Sequence, residues 1–164
     1  EGDPVISTFT RRLDRLVLAM AKEVPSLKGV WLMRGRPMAA VYAGAGSKYT
    51  PHFDCVGGDN GRKITCILYL NPFWKEGDGA ELHLWPEAKH LTPQGPRTEV
   101  SPLHGRLACF LCDSKNLHGV NPVSKDGLEP RMAVSCWYYD SQGGQFDRED
   151  EDDRKRPRDS PGAA

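Results

Sequence analysis

"RMAVSCWYY", residues 131–139, alternates as an extended strand does. Successive side chains on a strand point to opposite sides. Arg131, Ala133, Ser135, Trp137 and Tyr139 therefore share one face, and Met132, Val134, Cys136 and Tyr138 the other. If the first face is enclosed, Arg131 is buried and needs an anion, because an unpaired interior guanidinium is strongly destabilising. The anion is either a bound carboxylate, which a guanidinium matches two bonds at a time, or an Asp or Glu of the chain.

Outward from this run the same period recurs. In "KITCILYLN", residues 63–71, Thr65, Ile67, Tyr69 and Asn71 share a face. Tyr69 could offer its hydroxyl to the same anion with Ile67 lining the pocket, or be an ordinary β-rich aromatic. Similar short runs occupy Met38–Tyr42, Tyr49–Asp54, Glu81–Trp85, Arg97–Val100, Gly105–Leu111 and His118–Val123, with Gly, Pro, Asn and Asp between them. There is no βαβ alternation and no repeat. The pattern predicts an all-β sandwich or barrel such as a jelly roll. Ahead of it, Phe9, Leu13, Leu16, Val17, Met20, Ala21 and Val24 recur at helical spacing. Ser7, Thr8 or Thr10 could cap this helix and Pro25 ends it. Its amphipathic face needs a surface to lie on.

Lys and Arg total 22, as do Asp and Glu, so nothing draws the chain electrostatically to nucleic acid or a membrane. No apolar run is long enough to span a bilayer, and no secretory leader is visible. Five cysteines without a tight framework read as reduced thiols in a cytoplasmic protein. Cys109 and Cys112 have C-x-x-C spacing, but positions i and i+3 of a strand face opposite ways, so the two thiols should not meet. Residues 141–164 are charged, then small, and read as a disordered tail. Its "RKRPR" is either a nuclear address or part of a solubilising segment.

Within "SKYTPHFDCVGGDNGRK", residues 47–63, His52 and Asp54 stand two apart. On a strand both would reach one ion, and imidazole plus carboxylate suits iron, manganese or zinc. Alone, such a pair is a weak signal. A third ligand must come from His83, His90, His104 or His118. His118 is best placed, where the chain returns after the strand "GRLACFLC". His83 should face away from Leu82 and Leu84, His104 lies in a turn, and His90 has no apolar context. Two histidines and a carboxylate leave coordination positions open, as in non-haem Fe(II) oxygenases. Zinc, usually satisfied by four ligands, is the alternative.

"YTPHFD", "TCILYLNPFWKEGDGAELHLWPE", "GRLACFLCDSKNLHGVNPV" and "RMAVSCWYYD" together resemble the Fe(II)/2-oxoglutarate-dependent prolyl 4-hydroxylases over about residues 37–140. The likeness is strongest to the branch of the hypoxia-inducible-factor and Skp1 prolyl hydroxylases. It implies a mainly β, cupin-like double-stranded β-helix supported by an N-terminal helix, with residues 1–140 as the catalytic core. It implies Fe(II) on His52, Asp54 and His118. Arg131 would pair with the distal carboxylate of 2-oxoglutarate, helped by Tyr69 and more weakly by Ser135. Tyr42, Met38, Ile67, Leu82 and Trp137 would line the pocket, and Arg62 and Tyr49 would meet the peptide with Trp137. O2 is the other co-substrate and ascorbate the reductant. The implied activity is 4-hydroxylation of a peptidyl proline with release of succinate and CO2, by a monomer, with oxygen sensing as a possible role. Arg131 argues for the sensor branch, since collagen-type enzymes usually carry Lys there. Two departures stand out. The hairpin turn between His118 and Arg131, with Lys125 and Gly127, is long, and the region before the core is short, as in a truncated chain. Rival readings are a 2-oxoglutarate oxygenase with a non-proline target, a catalytically weak cupin-like binding domain, and a plain β-sandwich interaction module.

Overall fold

Asp3 and Pro4 set the first element. In the computed structural model, which describes residues 3–55, 60–89, 91–124 and 130–142, helix α1 spans Pro4–Glu23. The Asp3 carboxylate accepts the Val5 and Ile6 N–H groups at 2.7 and 3.3 Å. Pro4, with φ already helical and no N–H to satisfy, suits the first turn. This corrects the expected start: Ser7, Thr8 and Thr10 lie inside the helix. The first turn was missed because Val5 and Ile6 are exposed, so no buried apolar stripe marks it. Pro25 ends the helix as expected and opens a short 3-10 turn, Pro25–Leu27.

The strands are β1 (Leu32–Arg34), β2 (Met38–Tyr42), β3 (Tyr49–His52), β4 (Arg62–Tyr69), β5 (Leu82–Trp85), β6 (Glu87–Lys89), β7 (Thr92–Gln94), β8 (Thr98–Val100), β9 (Leu107–Leu111), β10 (Leu117–Val120) and β11 (Arg131–Asp140). All eight expected strands are present; β1 and the β6–β7 hairpin were not foreseen. One antiparallel sheet runs β1–β11–β4–β9, with β2 on the same edge of β11 as β1. A smaller one runs β3–β10–β5–β8. The two form a jelly roll, the double-stranded β-helix expected of the sequence.

The alternation of β4 and β11 separates two cores. On the outer face of the large sheet, Ile64, Cys66, Cys136 and Tyr138 pack with Leu13, Val17 and Ala21 of α1. On the inner face, Ile67, Tyr69 and Ala133 meet Leu82, Leu84 and Val100 of the small sheet. The amphipathic helix thus has its surface. Asp14 ties it down, accepting from Arg34 Nε at 2.8 Å and from the Tyr138 hydroxyl at 2.7 Å.

Gly119 lets β3 and β10 close. A Cβ there would stand 3.0 Å from the Tyr49 carbonyl oxygen and 3.2 Å from Pro51 N. Cys109 and Cys112 point apart as expected: Cys109 lies 3.5 Å from Cys66, and Cys112 lies 3.0 Å from the Thr65 hydroxyl. No helix among the described residues is long and apolar enough to cross a membrane. The tail beyond Gln142 with its "RKRPR", Lys125 and Gly127 of the long turn, and His90 lie outside the described residues.

Candidate active site

His52 ends β3 and pairs directly with His118 of β10, Cα to Cα partner. Their rings lie 4.2 Å apart, centroid to centroid. His52 Nδ1 is 3.0 Å from the Thr50 carbonyl oxygen, and His118 Nδ1 is 3.0 Å from that of Asn116. A carbonyl only accepts, so each Nδ1 carries the hydrogen and each Nε2 presents a lone pair. This is how a metal-ligating histidine is usually oriented. Burial lowers the His118 pKa against the pull of Asp54, which favours the neutral, ligating form.

Asp54 completes the group. Its position differs from expectation: β3 stops at His52, so the two are not on a regular strand face. Asp54 is instead held by its own contacts. Asn60 Nδ2 donates to its backbone carbonyl at 2.7 Å. The Thr65 hydroxyl and Trp137 Nε1, the latter at 3.1 Å, donate to Oδ2. Oδ1 lies 3.5 Å from His52 Nε2, and Oδ2 lies 3.6 Å from His118 Nε2. Burial resists ionisation of this carboxyl, but His52, His118, Thr65 and Trp137 prevail and hold its pKa well below the usual range. One donor atom from each of His52, Asp54 and His118 lies within 4.8 Å of the others.

The same cavity, about 310 Å3, contains an unanswered cation. Arg131 is 4 % exposed, and its Nε and Nη2 find no hydrogen-bond partner among the described residues. Neither does the fully buried Tyr69 hydroxyl. The Arg131 guanidinium stands over the Tyr42 and Tyr69 rings at 4.7 and 5.0 Å. Burial raises the Tyr69 pKa even though Arg131 opposes it, so the hydroxyl keeps its proton and can donate. Both groups are donors, aimed at nothing the described chain supplies. Of the two expected anions for Arg131, an internal Asp or Glu is therefore not found among the described residues. Met38, Tyr42, Ile67, Leu82, Ser135 and Trp137 line the same cavity.

Residues 37–139 match the 2OG-Fe(II) oxygenase superfamily. The chain belongs to that superfamily. The chain is 36 % identical over 143 residues to a human protein named "Prolyl hydroxylase EGLN3", covering 87 % of this chain and 55 % of the relative. It is 35 % identical over 139 residues to the Caenorhabditis elegans "Hypoxia-inducible factor prolyl hydroxylase", covering 84 % and 16 %. It superposes on a Trichoplax adhaerens prolyl hydroxylase, solved with a hypoxia inducible factor oxygen degradation domain peptide fragment. That match has a TM-score of 0.67 at 29 % identity, over 84 % of this chain and 57 % of that one. The chain spans about half the length of the human relative. The superfamily's co-substrates are 2-oxoglutarate and O2, its metal is Fe(II), and ascorbate is its typical reductant. The donors fit that set: two imidazoles and one carboxylate suit Fe(II), and the orphaned Arg131 and Tyr69 suit a distal carboxylate.

Every expected site residue except Tyr69 lines this one cavity, and Tyr69 stands behind it with its ring 5.0 Å from the Arg131 guanidinium. The Arg62 guanidinium lies 4.5 Å above the Trp137 ring. Tyr49 is half exposed and touches the His52 ring. His83 faces away from Leu82 and Leu84 as expected and pairs with Glu99 at 2.8 Å, and His104 is exposed. Sequence reasoning missed Thr65 and Phe110. Thr65 stands on the pocket face of the alternating β4 run, which was the available signal. Phe110, 4.6 Å from the His118 ring, has only its strand parity to mark it.

Proposed function

We propose that the chain carries the catalytic core, residues 1–140, of a peptidyl-proline 4-hydroxylase. Fe(II), O2 and 2-oxoglutarate would be consumed with a proline-containing protein, releasing succinate and CO2. The orphaned donor pair carries the reading. A buried, permanently charged guanidinium beside a protonated phenol matches one end of a dicarboxylate, and the histidine-aspartate group opens into the same cavity. Similarity to prolyl hydroxylases, one bound to a hypoxia inducible factor peptide, supports proline as the target and an oxygen-sensing role.

His52, Asp54 and His118 would hold Fe(II), their Nε2 lone pairs set by the carbonyls on Nδ1. Bound there, Fe(II) supplies the O2 activation that couples keto-acid decarboxylation to hydroxylation. Asp54 stays ionised because His52 and His118 flank it and Thr65 and Trp137 donate to it. Arg131 and Tyr69 would bind the far carboxylate of 2-oxoglutarate, with Ser135 as a third donor. Tyr42, Ile67, Leu82 and Met38 would exclude water around its methylenes. Arg62, Trp137 and Tyr49, which line the same cavity, would orient the peptide. A cytoplasmic or nuclear site of action suits the reduced thiols of Cys66, Cys109, Cys112 and Cys136.

The test is turnover of iron-loaded chain with 2-oxoglutarate, O2 and a library of proline peptides, following succinate and a gain of about 16 Da together. Peptide-dependent mass gain on proline, lost in His52→Ala and Arg131→Ala, is expected. Succinate without modified proline would keep the oxygenase and overturn the target.

A further inference from the structure

Cys66 of β4 and Cys109 of β9 stand directly opposite one another, their sulfurs 3.5 Å apart. The ladder around them sorts the strand pairs. Cys112 N donates to Lys63 O, and Tyr69 N donates to Arg106 O. Hydrogen-bonded pairs thus fall at 63/112, 65/110, 67/108 and 69/106, alternating with non-hydrogen-bonded ones. Cys66 and Cys109 form a non-hydrogen-bonded pair, the closer of the two classes, where Cα atoms approach to about 4.5 Å. That spacing falls inside the range a disulfide spans, about 4.4–6.8 Å.

Cys136, opposite Cys66 on the other side, supplies a comparison within the same sheet. Leu70 N donates to Met132 O, which makes 70/132, 68/134 and 66/136 the hydrogen-bonded class on that flank. There the backbones stand farther apart, about 5.5 Å between Cα atoms. Cys66 thus has two cysteine neighbours, only one of them in the close class and in sulfur contact.

We propose that Cys66 and Cys109 are a thiol-disulfide site that a peroxide closes in the folded protein. It goes beyond the oxygenase activity and does not depend on it. Cys109 is partly exposed, whereas Cys66 is 1 % exposed, so the oxidant meets Cys109 first. The hydrogen bond it shares with Cys66 lowers the Cys109 pKa although burial opposes it, which raises the share of reactive thiolate. The Cys109 thiolate attacks one peroxide oxygen. An S–O bond forms, the O–O bond breaks, and hydroxide leaves to be protonated as water. Cys66, giving up its proton, then attacks the sulfenic sulfur. The S–S bond forms and the second oxygen leaves as water. In sum two thiols lose two electrons and two protons, and hydrogen peroxide becomes two waters.

The bridge would lie on the α1 side of the sheet. The adjacent residues on the other side are Thr65, which holds Asp54, and Phe110, which packs on His118. Oxidation would lock β4 to β9 at the level of the metal ligands.

The reduced 164-residue chain would be treated with hydrogen peroxide, quenched by alkylation and mapped by mass spectrometry without reduction. The expected result is loss of about two mass units from monomer, carried by a cross-link between the Cys66 and Cys109 peptides. The link should persist in Cys136→Ser and vanish in Cys66→Ser and in Cys109→Ser, each checked for native far-ultraviolet dichroism. A bridge between any other pair, a disulfide-linked dimer, or sulfinic acid at Cys109 with Cys66 still free would overturn the proposal. So would a Cys66–Cys109 link that forms only in denaturant.

Discussion

At the scale of the residue, Arg131 is the most exacting group in the chain. A guanidinium out of water with two donors unanswered costs stability while no anion is bound. Arg131→Met should therefore leave the ligand-free chain as stable as the parent, or raise its stability by about 1–4 kcal/mol. The same change should weaken 2-oxoglutarate binding by about 30-fold or more, the cost of removing one partner of a charged pair. Calorimetric titration and melting of the two proteins check both outcomes. A variant that melts lower yet binds 2-oxoglutarate normally would mean that Arg131 is a structural cation. The sequence already carried this residue, because alternation put a charge on an enclosed face. It did not carry Thr65 as a support for Asp54. A threonine on a strand is too ordinary to single out, and the aspartate it serves lies eleven residues earlier, in a loop.

At the scale of the element, long alternating runs were legible, and of the four three-residue strands only β8 was. Strand β11 shows its two faces over ten residues, whereas β1, β6 and β7 have three residues each, too few to establish a period. The joint between α1 and β11 could not be read at all, since Asp14 and Tyr138 are 124 positions apart. Tyr138→Phe should cost about 1.5–3 kcal/mol, as for a bond to a charged acceptor, read from chemical denaturation. Burial, and next the Asp14 carboxylate, raise the Tyr138 pKa above its ordinary value. The unfolded chain then loses the phenolic proton first. The contribution is complete below about pH 10 and declines as pH rises above it. Denaturation of parent and variant should thus converge at high pH. Strand β10 permits a second prediction. Gly119→Ala forces β3 and β10 apart and should cost about 1–3 kcal/mol. Because His52 and His118 sit across that joint, Mn(II) affinity, measured by electron paramagnetic resonance, should fall as well.

At the scale of the whole molecule, the jelly roll was readable from strand spacing, but which sheet would supply which ligand was not. His52 and His118 belong to the small sheet, while Asp54 is gripped by Thr65 and Trp137 of the large one. An ion held by all three spans both sheets. Saturating Mn(II), an unreactive stand-in for Fe(II), should stabilise the chain by about 4 kcal/mol at a thousandfold excess over its dissociation constant. Thermal melting checks this, and a chelator should reverse it. Adding 2-oxoglutarate should raise the midpoint further in the parent but not in Arg131→Met. The pairing of His52 with His118 has one more consequence. If β10 slid by a single position along β3, parity would send its imidazole to the outside of the barrel. A mis-zipped chain could still be compact and rich in strand, yet it would lack a second nitrogen for the ion. Iron occupancy therefore proofreads the fold: the metal content of a preparation counts the molecules whose strands have closed in register.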